Sequence, residues 1–264
     1  MDRIPAVQGV GNLIVFIQEM IDIWNAAEGI PCSVAPERGE TNAAMVFGFA
    51  AHTVELSRAI IALYKVDCEF AALRLIRGAM ECAITAAWLA HEPEGTARVL
   101  FTGAKDLQTV LTELKSGGRI PEIGRLLKAN ATDIATFEKD GVREVSISDR
   151  FNALVGGGQY YTEYRMASAL CHPTHPLAEA YVHQHSEGIK LLPRGDYPSA
   201  EQWLGQHACM LVIAQIAYES IQIDQSRLPV LIDHAHRVGI EGTTALKKEF
   251  HRSAKGAAGL PPDE

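Results

Sequence analysis

Apolar residues recur at spacings of three and four along most of this chain, and this pattern constrains the fold more than any other feature. Such spacing places apolar side chains on one face of an α-helix, because a helix has 3.6 residues per turn. The sequence has no series of alternating apolar and polar residues bounded by turn residues, as a sheet would require. The sequence therefore predicts an all-α helical bundle.

Three long segments are apolar enough to form the centre of this bundle. They lie at residues 41–66, 68–91 and 200–224, and Asp67 is placed to cap the second. Neither an internal repeat nor a long linker divides the chain, so we expect a single domain over residues 1–264. Its core spans about 7–225, and residues 226–264 hold short helices and a frayed tail.

Net charge, cysteine usage and hydropathy narrow the class of protein. The formal net charge of −8 disfavours a surface made for broad phosphate contact, although it leaves room for a local basic cleft. Five cysteines without a CxxC pair indicate reduced thiols. No apolar run approaches the ~20 residues of a membrane span, and we expect no signal peptide. We therefore expect a cytoplasmic protein with no membrane partner.

A charged stripe follows one side of the apolar segment 72–89. Arg74, Arg77, Glu81 and Trp88 fall within about 60° of one another on a helical wheel. Arg77 and Glu81 are four residues apart and can pair. Two interpretations stay open: a buried ion pair that ties this helix to a neighbour, or a carboxylate and a guanidinium that face a cavity.

A second polar stripe lies in the segment YYTEYRMASALCHP. On a helix, five of its polar side chains share a face within about 100°: Tyr161, Tyr164, Arg165, Ser168 and His172. A face that only met solvent would carry lysine and glutamate instead of phenols and an imidazole. This stripe is therefore the natural partner of the first one.

The two stripes resemble motifs of an uncharacterised family of helical bacterial proteins. That family shares an Arg-x3-Glu segment followed by an aromatic residue, which Arg77, Glu81 and Trp88 match. It also shares the pattern Tyr-x2-Tyr-Arg-x2-Ser-x3-His-Pro, which is matched here from Tyr161 to Pro173. The resemblance covers about residues 40–220 and implies no particular activity.

The chain is more distantly similar to the HEPN superfamily, whose members are helical bundles and include many metal-independent ribonucleases. The HEPN signature is an arginine and a histidine separated by four to six residues, and Arg165 and His172 fit the longest spacing, with six residues between them. Met166 stands where that superfamily prefers a polar residue. The similarity implies that His172 transfers protons and Arg165 stabilises phosphate charge, usually in a homodimer.

Four of the ten histidines lie close together, at positions 172, 175, 183 and 185. Their spacing matches no established metal motif, so we expect no metal and no cofactor. His172 closes the polar face of the second stripe and has the chemistry for proton transfer near neutral pH. His175 follows as a second candidate, and we expect His183 and His185 to be solvated.

Three functions stay open at this point. The first is an HEPN-like ribonuclease or nucleotide-acting protein, with RNA, a nucleotide or a small anionic ligand as its partner. The second is a small-molecule enzyme that uses Glu81 and His172 as an acid–base pair in a pocket between helices. The third is a non-catalytic interaction protein in which both stripes form a buried polar network.

Each candidate residue has an expected role in these hypotheses. The expected catalytic residues are His172, Arg165 and Glu81. The expected substrate-binding residues are Arg77, Tyr161, Tyr164, Ser168, Arg74 and His175.

Overall fold

The fold is described from a computed structural model. It describes residues 7–27, 33–34, 38–117, 122–173, 175–186, 188–193, 195, 199–240 and 245–247. Within these residues there are ten α-helices and one two-stranded hairpin, so the predicted all-α, single-domain bundle is confirmed. The helices are α1 Val10–Asn25, α2 Glu40–Tyr64, α3 Glu69–His91, α4 Gly95–Ser116, α5 Ile123–Lys139, α6 Ile147–Ala153, α7 Gly157–Cys171, α8 His175–Glu179, α9 Ala200–Ser220 and α10 Leu228–Arg237. The hairpin consists of β1 Val182–His185 and β2 Gly188–Leu191.

The core is built around α2, α3 and α9, the three helices predicted from long apolar segments. α3 packs against both α2 and α9. Nearly every residue of α9 from Trp203 to Glu219 is buried, which agrees with its apolar character on more than one face. The Tyr64 hydroxyl donates a 2.7 Å hydrogen bond to the Ala200 carbonyl, which joins the end of α2 to the start of α9.

Shorter helices cover this core. α1 and α10 pack against α9, and α1 buries an apolar stripe that includes Phe16 and Met20. α4 packs mainly against α5, so these two helices form an αα-hairpin beside the core. α6 and α7 pack against each other and against α3. The charged stripe of α3 therefore meets the polar stripe of α7.

Two local predictions were wrong. Asp67 does not cap α3: Cys68 occupies the N-cap position, and Asp67 has a left-handed φ of 55° in the turn before it. The chain also contains strands where none was expected, since residues 182–185 pair antiparallel with residues 188–191. Most side chains of this hairpin project into solvent, so no alternating apolar pattern marks it in the sequence.

The expectation that no apolar run approaches the length of a membrane span was wrong for α2, which alone among the described helices meets the length and composition criteria. Within its apolar window, 39% of the residues are buried in the protein. α2 packs against α3, α9 and α1, as the core helix of a bundle does, and such a helix meets the same criteria.

Candidate functional site

The candidate site lies where α7 crosses α3. The local sequence defines both ends of α7. Gly156 precedes the helix with a left-handed φ of 74°, and Gly157 sits where an added Cβ would overlap the carbonyl oxygen of Phe151. At the other end, His172 leaves the helical conformation at ψ 152°, because the residue before a proline disfavours it. α7 is therefore held at its start by glycines and ended by the His172–Pro173 pair.

Four side chains from the two helices form one hydrogen-bonded cluster. Arg77 donates through Nε to Ser168 Oγ at 2.7 Å and through one terminal nitrogen to Glu81 Oε1 at 2.8 Å. The same nitrogen lies 2.9 Å from the Tyr164 hydroxyl oxygen. The Tyr164 hydroxyl in turn donates to Glu81 Oε1 at 2.7 Å. We call Arg77, Glu81, Tyr164 and Ser168 the α3–α7 cluster.

The α3–α7 cluster is only partly covered. The side chains of Arg77 and Glu81 are 28% and 35% exposed. Both hydrogen bonds from described residues to this carboxylate end on Oε1, which leaves Oε2 open to solvent or a ligand. The arrangement is therefore neither a sealed core pair nor a simple surface salt bridge.

Tyr164 is held as a neutral donor. Burial raises the pKa of its phenol, and the hydrogen bond to the Glu81 carboxylate raises that pKa further. Its ring also packs against those of Phe151 and Tyr161, with centroids 5.4 and 6.0 Å away. The Arg77 guanidinium lies over the same ring at 5.2 Å. Aromatic packing therefore orients the hydroxyl that contacts Glu81.

Arg150 and Thr85 extend this site and were missed by the sequence reasoning. Arg150 on α6 donates to Thr85 Oγ1 at 3.0 Å and to the Val145 carbonyl at 3.2 Å, and its Nε is buried with no partner among the described residues. Burial lowers the pKa of Arg150, and the nearby Glu81 carboxylate opposes that shift. α6 is short and polar, so no periodic signal pointed to Arg150. Thr85, four residues after Glu81, does extend the stripe of α3.

The C-terminal half of α7 presents basic groups to solvent. Arg165 and His172 are exposed, and the hydroxyl of Tyr161 lies 3.5 Å from an Arg165 terminal nitrogen. The pKa of Cys171 is raised by burial, and the positive charges of Arg77 and Arg74 oppose that rise. Arg77 reaches α7 directly through its hydrogen bond to Ser168, and Arg74 lies one turn earlier on α3. Arg74 is exposed on α3.

His172 occupies the C-cap position of α7, where its backbone N–H donates to the Ser168 carbonyl at 3.3 Å. It therefore lies one turn after Ser168, at the end of α7. The hydrogen bonds to Glu81 come from Arg77 and Tyr164. A Glu81–His172 acid–base pair therefore stays a prediction.

The other histidines of the group lie outside the α3–α7 cluster. His175 begins α8 with its side chain 81% exposed and its Nδ1 3.4 Å from Glu179 Oε2. His183 lies on β1 and is half-buried, and His185 ends the same strand. In the part of the chain that the structure describes, no group of three or more potential metal ligands comes together.

The fold and this site define an all-helical protein with a partly exposed Arg–Glu–Tyr–Ser cluster between two core-facing helices. The chain belongs to DUF5677, a family of unknown function, whose model matches residues 43–189. That span runs from the start of α2 to the hairpin and contains both polar stripes. Neither a curated protein nor a solved structure matches the chain.

Proposed function

We propose that this protein is an HEPN-like, metal-independent ribonuclease or nucleotide-acting protein whose phosphate site is the exposed end of the α3–α7 crossing. One observation carries the proposal. Arg77 reaches Ser168 and Tyr164 of α7, and Arg165 and His172 are exposed on and just after the C-terminal half of that helix, while Arg74 is exposed one turn before Arg77 on α3. The chain as a whole has 32 acidic against 24 basic residues, so three arginines on two helices that pack together, α3 and α7, stand out. Guanidinium groups bind phosphate oxygens through paired N–H donors.

Each residue has a chemical role in this proposal. Arg165 binds the phosphate and stabilises its developing negative charge. His172 accepts the proton of the RNA 2′-hydroxyl as that oxygen attacks phosphorus. The bond to the 5′-oxygen then breaks, a 2′,3′-cyclic phosphate forms, and the leaving oxygen takes a proton from a second His172 or from water. Glu81, Tyr164 and Ser168 orient Arg77, because all three contact it directly.

We further propose that the active form is a homodimer in which the surface with Arg165 and His172 on one copy faces the same surface on the other copy. In this arrangement one copy supplies the general base and the other supplies the general acid. Light scattering coupled to size exclusion measures the mass, and the monomer mass is 28.7 kDa. A monomer that cleaves RNA at the same rate at nanomolar and micromolar concentration would contradict the shared site.

The decisive experiment measures cleavage of a fluorogenic single-stranded RNA in the presence of a metal chelator. We expect His172→Ala and Arg165→Ala to lower the rate by roughly 100-fold or more, as the loss of a general base or of a charge-stabilising group does. His236→Ala changes an exposed histidine on α10, away from the crossing, and serves as the matched control. DNA of the same sequence should be resistant because it lacks the attacking hydroxyl.

Hydrolysis of nucleoside triphosphates in the same buffer separates the ribonuclease from the nucleotide-acting form of the proposal. A wild-type protein that processes neither substrate contradicts both forms. So does a cleavage rate that His172→Ala leaves unchanged.

A second candidate is a non-catalytic interaction protein, and the direct hydrogen bonds of the α3–α7 cluster favour it. These bonds join two helices, and a polar network of this kind can determine how helices pack. In that case His172→Ala and Arg77→Ala would alter any cellular phenotype only in proportion to lost stability. The small-molecule enzyme with a Glu81–His172 pair stays a third hypothesis.

A further inference from the structure

We propose that a cavity between α1, α2 and the end of α9 is a binding site for an organic cation with an aromatic or alkyl body. The cavity has a volume of about 1020 Å³ and lies apart from the α3–α7 cluster, none of whose residues line it. Ligand pockets in proteins usually measure about 300–1,000 Å³, so this cavity is large enough for a molecule of drug-like size. The proposal is independent of the function assigned to the crossing of α3 and α7.

Three aromatic residues from three different helices line the cavity. Trp24 of α1 stacks on Phe47 of α2 with ring centroids 5.7 Å apart and an interplanar angle of 22°. Tyr218 of α9 lies 5.4 Å from Trp24 and 5.2 Å from Phe47. Phe47 is 45% exposed although it belongs to a core helix. An exposed aromatic residue beside a cavity of this size is typical of a binding wall.

Small side chains in the lining account for part of the volume of this cavity. Ala43 and Ala44 of α2 and Ala27 after α1 line the cavity next to the aromatic residues. Alanine side chains leave space that larger side chains would fill. The aromatic and alanine residues together form an apolar wall, so the ligand must have an apolar body.

A buried charge pair in the lining is already neutral. Glu219 is 1% exposed, and its Oε2 accepts hydrogen bonds from Arg227 Nε at 3.0 Å and from a terminal nitrogen of Arg227 at 2.6 Å. Its Oε1 accepts the Arg227 backbone N–H at 2.8 Å, and Gln222 adds a 3.2 Å bond to Oε2. Because Glu219 is fully bonded, the pair supports the end of α9 and requires no ligand charge.

The remaining charges of the lining are acidic in balance. Arg58 donates to Asn25 Oδ1 at 2.7 Å and lies 3.7 Å from Glu55, an exposed carboxylate that partly offsets its charge. Glu40 and Asp224 also line the cavity, and neither forms a salt bridge with another described residue. The Arg227 guanidinium already lies over the Tyr218 ring, 5.9 Å from its centroid. Two carboxylates without a described salt bridge beside the rings of Trp24 and Phe47 favour a positive ligand, since both carboxylates and ring faces attract cations.

The acidic lining of the cavity distinguishes it from the proposed phosphate site, which is basic. A phosphate or carboxylate ligand would meet Glu40 and Asp224 and lose affinity through repulsion. A neutral ligand would use the aromatic wall and gain nothing from either carboxylate. An aryl or alkyl ammonium compound uses both, so this is the ligand class that the lining fits.

The test compares three probes that share a benzyl body, added to the full-length chain: benzyltrimethylammonium, benzyl alcohol and phenylacetate. Isothermal titration calorimetry measures affinity. A change in tryptophan fluorescence on titration reports binding next to Trp24, because Trp88 and Trp203 do not line the cavity and are only 3% and 4% exposed. We expect saturable binding of the cation, at least about tenfold tighter than that of the other two probes.

Variants locate the site. Phe47→Ala and the double change Glu40→Gln with Asp224→Asn should each weaken binding of the cation at least about fivefold. Val15→Ala, which alters an exposed apolar residue on α1, is the matched control and should leave affinity unchanged. Thermal unfolding of each variant shows whether the protein remains folded.

Three results would overturn the proposal. The first is no saturable binding of the cation to the wild type. The second is tighter binding of phenylacetate than of benzyltrimethylammonium. The third is equal affinity of wild type and Phe47→Ala for the cation. If the aromatic variant is unstable, the carboxylate double variant decides the outcome, since Glu40 and Asp224 are exposed and form no salt bridge with a described residue.

Discussion

The Tyr164 hydroxyl donates a 2.7 Å hydrogen bond to Glu81 Oε1 across the contact between α7 and α3. The Arg77 guanidinium donates to the same oxygen at 2.8 Å. One carboxylate oxygen thus joins a tyrosine and an arginine from two helices. Because the phenol is buried and the carboxylate is partly exposed, the bond couples the stability of the crossing to the position of an accessible charged group.

Removing this hydroxyl should destabilise the protein. We expect Tyr164→Phe to lower the free energy of unfolding by about 1–2 kcal/mol, since the bond is to a charged acceptor that is one-third exposed. Urea denaturation measures the change. Tyr161→Phe is the control, because its hydroxyl makes only a 3.5 Å contact to exposed Arg165, and it should change stability by less than about 0.5 kcal/mol. Additive effects in a double-mutant cycle of Tyr164→Phe with Glu81→Gln would contradict the bond.

The substitutions His172→Ala and Arg77→Ala should differ in their effect on the stability of the protein. His172 is exposed, so His172→Ala should shift the melting temperature by less than about 2 °C. Arg77→Ala should lower it by several degrees, because it removes hydrogen bonds to Ser168, Glu81 and Tyr164. Differential scanning calorimetry checks both. A large drop for His172→Ala would mean that its side chain has a structural role.

The consecutive glycines before α7 should differ in their tolerance to alanine. Gly157→Ala places a Cβ against the Phe151 carbonyl oxygen, and the backbone must move to relieve the overlap. We expect a loss of roughly 2–4 kcal/mol in the free energy of unfolding. Gly158 has open space around its Cα, so Gly158→Ala is the matched control and should be neutral or stabilising by up to about 1 kcal/mol. Equal effects of the two changes in urea denaturation would show that overlap with the Phe151 carbonyl is not the cause of the lost stability.

Acid should destabilise the protein through His207. This imidazole is fully buried, its Nε2 lies 2.8 Å from Ser57 Oγ, and its Nδ1 has no partner among the described residues. Burial lowers the pKa of His207 to about 3, whereas an unfolded histidine titrates near 6.5. A lowered pKa in the folded state means that the unfolded chain binds the proton first. This contribution to stability is therefore complete above about pH 6.5 and is lost as the pH falls towards 3.

The corresponding measurement is urea denaturation between pH 7.5 and 4.5. The contribution of His207 should fall by up to about 1.4 kcal/mol per pH unit below pH 6.5. His207→Gln keeps a polar partner for Ser57 and should flatten the pH profile. His236→Gln, at an exposed histidine of α10, should leave the steep profile in place. Parallel profiles for the wild type and His207→Gln would show that other groups dominate acid unfolding.

Helical spacing predicted the all-α bundle, the three central helices and the polar faces of α3 and α7. These features are local, because the side chains of one helix share a face whenever their spacing matches 3.6 residues per turn. The i,i+4 pairing of Arg77 with Glu81 follows from the same geometry and is present at 2.8 Å. The end of α7 at His172 also follows from the chain itself, since Pro173 disfavours a helical residue before it.

Contacts between distant segments were decided by the tertiary structure alone. The packing of α3, α6 and α7 determines which Glu81 oxygen contacts Tyr164. It also determines that Arg150 comes near the Glu81 carboxylate. Trp24, Phe47 and Tyr218 form one aromatic wall although they lie far apart in the sequence. No periodicity within a single helix predicts these contacts between helices. They arise from the free energy of packing whole helices against one another, which is a property of the folded chain and not of any single segment.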